Sequence, residues 1–159
     1  MRAILFGYDT KLVDNTSFQT IADLGSFFAE NLKACDYASS NSKPLLFLAH
    51  SLGGIILKEA LDRERDIIHH VAGAVFFGSP SRGMDTQALM TMVEGQPTAA
   101  LVRDLATTSD YLQELDDRFF EVARRGRMEI FWAYETKTSP TVAVSYPCNT
   151  PIDITVRLG

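Results

Sequence analysis

The stretch Pro44-Leu-Leu-Phe-Leu-Ala-His-Ser-Leu-Gly-Gly-Ile-Ile-Leu57 constrains this chain most, because it seats one serine between a wholly apolar run and a helical pattern with no linker between them. Leu45 to Leu48 are large and apolar without alternation, as expected of a strand buried on both faces in a parallel sheet. Ile56, Ala60 and Leu61 then recur at helical spacing, and Gly53 and Gly54 keep the first helical turn nearly bare. So abrupt a passage from strand to helix strains the backbone at Ser51. It is tolerable only where the residues two before and two after are small, and Ala49 and Gly53 meet that need.

This arrangement resembles the G-x-S-x-G nucleophile elbow of α/β-hydrolases, with Ala49 in place of the first glycine. It makes Ser51 the candidate nucleophile and the backbone N–H of Leu52, at the start of the new helix, a candidate oxyanion donor.

The flanking sequence repeats the alternation of strand and helix. Ala3 to Gly7 reads as a first strand, and Phe18, Ile21, Ala22, Gly25, Phe28, Ala29 and Leu32 mark a helix over Ser17 to Leu32, with Asp14 to Thr16 offering its cap. After the elbow helix, Val71 to Phe77 is a third buried strand stopping at Gly78-Ser79-Pro80. A helix capped by Asp85 or Thr86 and ending near Gly95 comes next, then a short one opened by Pro97 and carrying Leu101, Val102 and Leu105. Leu112, Leu115, Phe119 and Val122 place a longer helix over Ser109 to Arg125, with Gly126 beyond its end. Met128 to Tyr134 and Thr141 to Ser145 supply a fourth and a fifth strand. The reading is therefore an α/β fold, a partial parallel sheet of about five strands with helices on both faces. It occupies residues 1–146, and 147–159 form an irregular tail.

In such a sheet, chemistry gathers at the carboxyl ends of the strands, here Asp9, Ser51, Ser79, Glu135 and Ser145. Glu135 stands two strands after the elbow and is preferred to Asp85 as the acid of a triad. The base is lacking. Of the histidines, His69 and His70 precede the third strand at the opposite end, and His50 adjoins the serine and leaves the backbone in another direction. Loss of a triad member costs on the order of 10⁴- to 10⁶-fold in turnover, so this chain alone is expected to be nearly inactive.

A net charge of −5 and a pI near 5.1 argue against nucleic acid or an anionic membrane surface as partner. No metal or cofactor is called for: Cys35 and Cys148 have neither metal-binding nor redox spacing and suit a reducing compartment. The N-terminus lacks the apolar core of a secretion signal.

Four segments together resemble the lipase-like serine esterase domain of the serine active site-containing protein family. They are Ile4-Leu-Phe-Gly-Tyr-Asp, Leu48-Ala-His-Ser-Leu-Gly-Gly-Ile, Phe76-Phe-Gly-Ser-Pro-Ser-Arg-Gly-Met and Phe131-Trp-Ala-Tyr-Glu-Thr. Similar domains occur at the N-termini of fungal signalling NTPases of the NACHT type, and Val93-Glu-Gly-Gln-Pro through Leu101-Val-Arg-Asp-Leu strengthens the link to that branch. The resemblance implies an α/β-hydrolase fold, Ser51 as nucleophile, Glu135 as acid, and ester or phospholipid-like substrates. Against the family pattern, the chain lacks the early strand with its His-Gly loop, which gives the second oxyanion donor, and the histidine after the last strand. Truncation at both ends is the expectation, with a partner or a missing segment completing the sheet. Three readings follow: a hydrolase module whose base lies elsewhere, a non-catalytic interaction or signalling module on the same scaffold, and a fragment from an incomplete gene model. The cytosol is the expected location. The family resemblance offers the mitochondrion or endoplasmic reticulum membrane as the alternative.

Overall fold

The structure, a computed structural model, describes residues 3–9, 19–35, 43–135 and 154–158. Its frame is α1 (Ile21–Ala34), β1 (Leu45–His50), α2 (Leu52–Arg63), a 3₁₀ turn (Arg65–His70), β2 (Val71–Phe77), α3 (Gln87–Met92), α4 (Ala99–Asp104), α5 (Asp110–Gly126), β3 (Glu129–Glu135) and β4 (Ile154–Leu158). The sheet order is β1-β2-β3-β4, with β1, β2 and β3 parallel. The helical crossovers that parallel pairing demands are supplied by α2 and α5.

One of the expected strands falls differently. Residues 3–9 join no ladder, and Leu5 is 97% exposed while Phe6 packs on Phe28 with ring centroids 4.4 Å apart. An apolar run becomes a strand only when a neighbour takes up its N–H and C=O groups, and β1 is hydrogen-bonded to β2 alone among the described strands. The expected strand over 141–145 lies outside the described residues. Within the stretch read as an irregular tail, Ile154–Leu158 instead pairs antiparallel with β3, from Glu135↔Ile154 to Phe131↔Leu158.

Cross-strand register shows which face is covered. Ala49, Phe76 and Trp132 stand side by side, as do Phe47, Ala74 and Ile130. Against them pack Leu32 of α1, Leu57 and Leu61 of α2, and Phe119, Val122 and Ala123 of α5. The other face carries Leu46 and Leu48, 64% and 71% exposed. Helices were expected on both faces; among the described residues, those packed on the sheet cover one. The unbroken apolar run 45–48 is therefore only partly buried, and at alternate positions, Leu45 and Phe47.

Helix ends follow local chemistry. In place of the expected start at Ser17, α1 begins at Ile21, where Thr20 and Asp23 form a capping box. Ser109 caps α5, accepting the Leu112 N–H. Gly126, expected past the end of α5, is its last residue, and the close contact explains the glycine: a Cβ there would stand 3.1 Å from the Ile68 carbonyl oxygen. The left-handed residue is Arg127, at φ 54°. Gly25 has a like role where α1 crosses α2: a Cβ would lie 2.7 Å from Glu59 Cβ. Glu59 itself is buried, accepting from Arg63 Nε at 2.7 Å and the Tyr111 hydroxyl at 2.8 Å.

Among the largest fully buried side chains of the described residues is a lysine. Lys58, 1% exposed, donates to Asp116 and to Ser81 Oγ at 2.7 Å, and its Nζ lies 4.8 Å from the Trp132 ring centroid and 5.2 Å from that of Phe119. It ties α2 to α5 and to the loop after β2. Burial depresses its pKa, and Asp116 opposes the shift. Breaking such a pair from one side typically costs about 3–5 kcal/mol. Lys58→Ala should therefore lower stability in urea by about 3 kcal/mol, and Lys58→Met with Asp116→Leu should recover most of the loss. A depressed lysine means that the unfolded chain binds more protons below its ordinary value of about 10.4, so stability relative to Lys58→Met should rise with pH over the alkaline window ending there.

Candidate active site

β1 delivers the chain to Ser51, and α2 begins one residue later. Ser51 has φ 51° and ψ −128°, one of two non-glycine residues with positive φ among those described. Its N–H donates to the Phe77 carbonyl at 2.9 Å, adding one rung beyond the β1–β2 ladder, and its own carbonyl accepts the Gly54 N–H at 3.0 Å. The turn is thus tied on one side to the sheet and on the other to the helix.

This backbone geometry sets what the hydroxyl can do. Serine before a helix ordinarily caps it, accepting from the second or third N–H, as Ser109 does for α5. Ser51 makes no such bond, and the residue is exposed. Its oxygen is therefore free for an incoming group. Leu52 follows with the first N–H of α2, which by position has no acceptor within the helix.

The glycines divide their work otherwise than the pattern suggests. Gly53, two after the serine, would bring a Cβ no closer than 3.6 Å to anything but its chain neighbours and its own helix, the contact being the Tyr8 hydroxyl. Gly54 is the tight position, where a Cβ would lie 2.8 Å from Ser79 Cβ and 2.9 Å from Phe76 Cδ1. Close approach of α2 to β2 thus demands the second glycine. Ala49 is buried, as a small residue before the turn should be.

The other expected residues are placed as follows. Glu135 ends β3, two residues beyond Ala133, which is in register with Phe77 and so with His50. Its backbone is at the same sheet edge as Ser51, and the direction of its carboxylate lies outside what is described. Asp85, the less favoured acid, accepts the Gln87 N–H at 3.0 Å and serves α3. Ser79 Oγ is buried without a hydrogen-bond partner beneath the first turn of α2. Asp9 is exposed at the end of residues 3–9, and Ser145 lies outside the described residues. His69 and His70 end the 3₁₀ turn that leads into β2, and the six steps of that strand set them about 20 Å from the Ser51 edge. His50 is exposed at the end of β1, adjacent to the serine in the chain.

Two residues near the site were not legible as such. Lys58 interrupts the apolar face of α2, and a charge at a core position was the available signal. Tyr8 carried none, since only folding brings it to Gly53.

No protein-family model matches the chain. It is similar to Protein SERAC1 of Bos taurus, 26% identical over 148 residues, and of Homo sapiens, 24% identical over 145 residues, each alignment covering 86% of this chain. The chain spans about a fifth of the length of these curated relatives, 22%. Among solved structures it is similar to the Bacillus licheniformis lipase BlEst2, at TM-score 0.53 and 18% identity for the mature form, covering 72% of this chain and 47% of that one. The propeptide form gives TM-score 0.55 at 20% identity, covering 72% and 26%. The fold is that of an α/β-hydrolase, in part.

Adjacent glycines should respond oppositely to one substitution. Gly54→Ala should destabilise by roughly 1–3 kcal/mol through overpacking on Phe76 and Ser79. Gly53→Ala should be neutral or stabilise by up to about 1 kcal/mol, as alanine does within a helix. Urea unfolding of the two variants checks the pair.

Proposed function

We propose that this chain carries the nucleophile of a serine hydrolase of the esterase or lipase type, with Ser51 attacking, the Leu52 N–H receiving the oxyanion and Glu135 orienting the base. The observation that supports it most is the Ser51 hydroxyl: exposed, uncapped and held at positive φ between a parallel strand and its helix. In this reading Ser51 Oγ bonds to the carbonyl carbon of an ester, and the C=O π pair moves to oxygen. The resulting charge settles at the positive end of α2. The serine proton passes to the base and then to the departing alkoxide, leaving an acyl-serine that water releases by the reverse proton path.

The base is assigned here to a residue outside the 159, because His50 adjoins Ser51 and His69 and His70 stand at the far edge. Ester or lipid-like substrates draw support from the lipase similarity alone. The same placement of the histidines favours a second reading, a non-catalytic interaction or signalling module on the hydrolase scaffold. A cytoplasmic setting beside a fungal NACHT-type NTPase suits it, on the strength of the Val93 to Leu105 segment.

A fluorophosphonate probe separates the two. Slow labelling of the chain that disappears in Ser51→Ala is the expected result. No labelling, either of the chain or of the longer protein with its flanking sequence, sinks the catalytic reading, and partner binding unaffected by Ser51→Ala then favours the module.

A further inference from the structure

The sequence pattern leaves the oxyanion with one donor, the Leu52 N–H, and the structure brings a second hydrogen-bond donor to the same turn. Residues 3–9 join no ladder of the sheet, and aromatic side chains pack them against α1. Phe6 packs on Phe27 and Phe28 with centroids 5.7 and 4.4 Å away, and Tyr8 follows at 6.0 Å from Phe6. Phe6, Tyr8 and Leu52 lean together on the core formed by Ile21, Leu24, Ile55 and Ile56. The Tyr8 hydroxyl ends 3.6 Å from the place a Gly53 Cβ would occupy, over the first turn of α2. A Cβ on Gly53 would only touch that hydroxyl, so the approach does not depend on the glycine.

Two properties of this hydroxyl suit it to receive an anion. Tyr8 is half-buried, and its hydroxyl, which is not one of the fully buried polar atoms, makes no hydrogen bond to any described residue and so stays open to an incoming acceptor. By contrast the Tyr111 hydroxyl, one helix away, donates to Glu59 at 2.8 Å. Burial also raises the Tyr8 pKa, so the phenol keeps its proton at neutral pH and can donate. An unpartnered O–H and the unpartnered Leu52 N–H thus stand on one turn, beside a serine whose oxygen is free.

Resting on the assignment of Ser51 as nucleophile, we infer that the Tyr8 hydroxyl is the second oxyanion donor, a catalytic residue that touches the carbonyl oxygen of the bound ester as it becomes negative. The proton stays on Tyr8 throughout, and no bond to it is made or broken. A hydrogen bond forms as charge builds and is released when the carbonyl reforms.

Tyr8→Phe removes the oxygen and keeps the ring against Phe6. The rate of fluorophosphonate labelling at Ser51, the thermal midpoint and the KM for a short-chain nitrophenyl ester are measured for both chains. Labelling should slow by about 10²-fold, as for loss of one oxyanion donor, with midpoint and KM unchanged. An undiminished rate in Tyr8→Phe, with Ser51→Ala silent, overturns the role of Tyr8 and leaves the nucleophile standing. A rate loss that vanishes well below the variant's midpoint overturns it as well. An unaltered chain that never labels, alone or with its flanking sequence, overturns both assignments.

Discussion

The interaction on which the rest depends is the hydrogen bond from the Ser51 N–H to the Phe77 carbonyl, which holds a non-glycine residue at φ 51°. Such a conformation costs on the order of 1–3 kcal/mol and persists only where the surroundings over-determine it. Here they do so from two sides. The parallel register of β1 on β2 fixes the direction in which the chain arrives, and the close seating of Gly54 on Phe76 and Ser79 fixes the direction in which it leaves. With both fixed, the turn has no freedom to relax into an ordinary cap. That loss is what frees the oxygen: a relaxed Ser51 would spend its hydroxyl on the helix, as Ser109 does.

α2 transmits this constraint to the rest of the molecule. It is buried almost along its length, and its buried residues include two that carry charge, Lys58 and Glu59. Glu59 faces α1 and α5 through Gly25 and Tyr111, while Lys58 faces the loop after β2 through Ser81 and α5 through Asp116. A wholly apolar helix could slide or rotate by part of a turn at small cost. Buried charges with fixed partners cannot, since each step would strand an unpaired ion. The Lys58–Asp116 ion pair and the Tyr111–Glu59 hydrogen bond, both to α5, therefore set the rotation of α2, and with it the position of its first turn.

What was legible in the sequence follows from how local each feature is. β2 coincides with the expected Val71 to Phe77, and α5 buries Leu112, Leu115, Phe119 and Val122 as their spacing requires. Both are set by side-chain periodicity within one element. Features requiring a second element were not legible. Residues 3–9 are apolar enough for a strand, but pairing belongs to the neighbour as much as to the segment. Apolarity at Leu46 and Leu48 reports a tendency to be covered, and burial depends on what stands opposite. Gly126 shows the same ambiguity: a glycine near a helix end serves either a left-handed turn or a close contact, and only the position of Ile68 decides for the contact. The elbow was legible because strand, serine and helix are contiguous, whereas Tyr8 approaches it across more than forty residues of chain.

Stabilising the oxyanion and moving the proton are separable tasks, and on the proposed reading this chain would hold parts for the first without a base for the second. A preorganised donor at a helix start acts on the tetrahedral species whether or not a base is present, and in triad enzymes such features with binding alone retain roughly 10³- to 10⁴-fold over water. A base does nothing for affinity in the ground state. A scaffold with the elbow intact and no histidine in reach is therefore poor at turnover while keeping its complementarity to an ester carbonyl polarised toward the tetrahedral state. The two proposed readings, slow acylation and a non-catalytic module, would then be two consequences of one geometry, separated by how quickly the serine proton can leave.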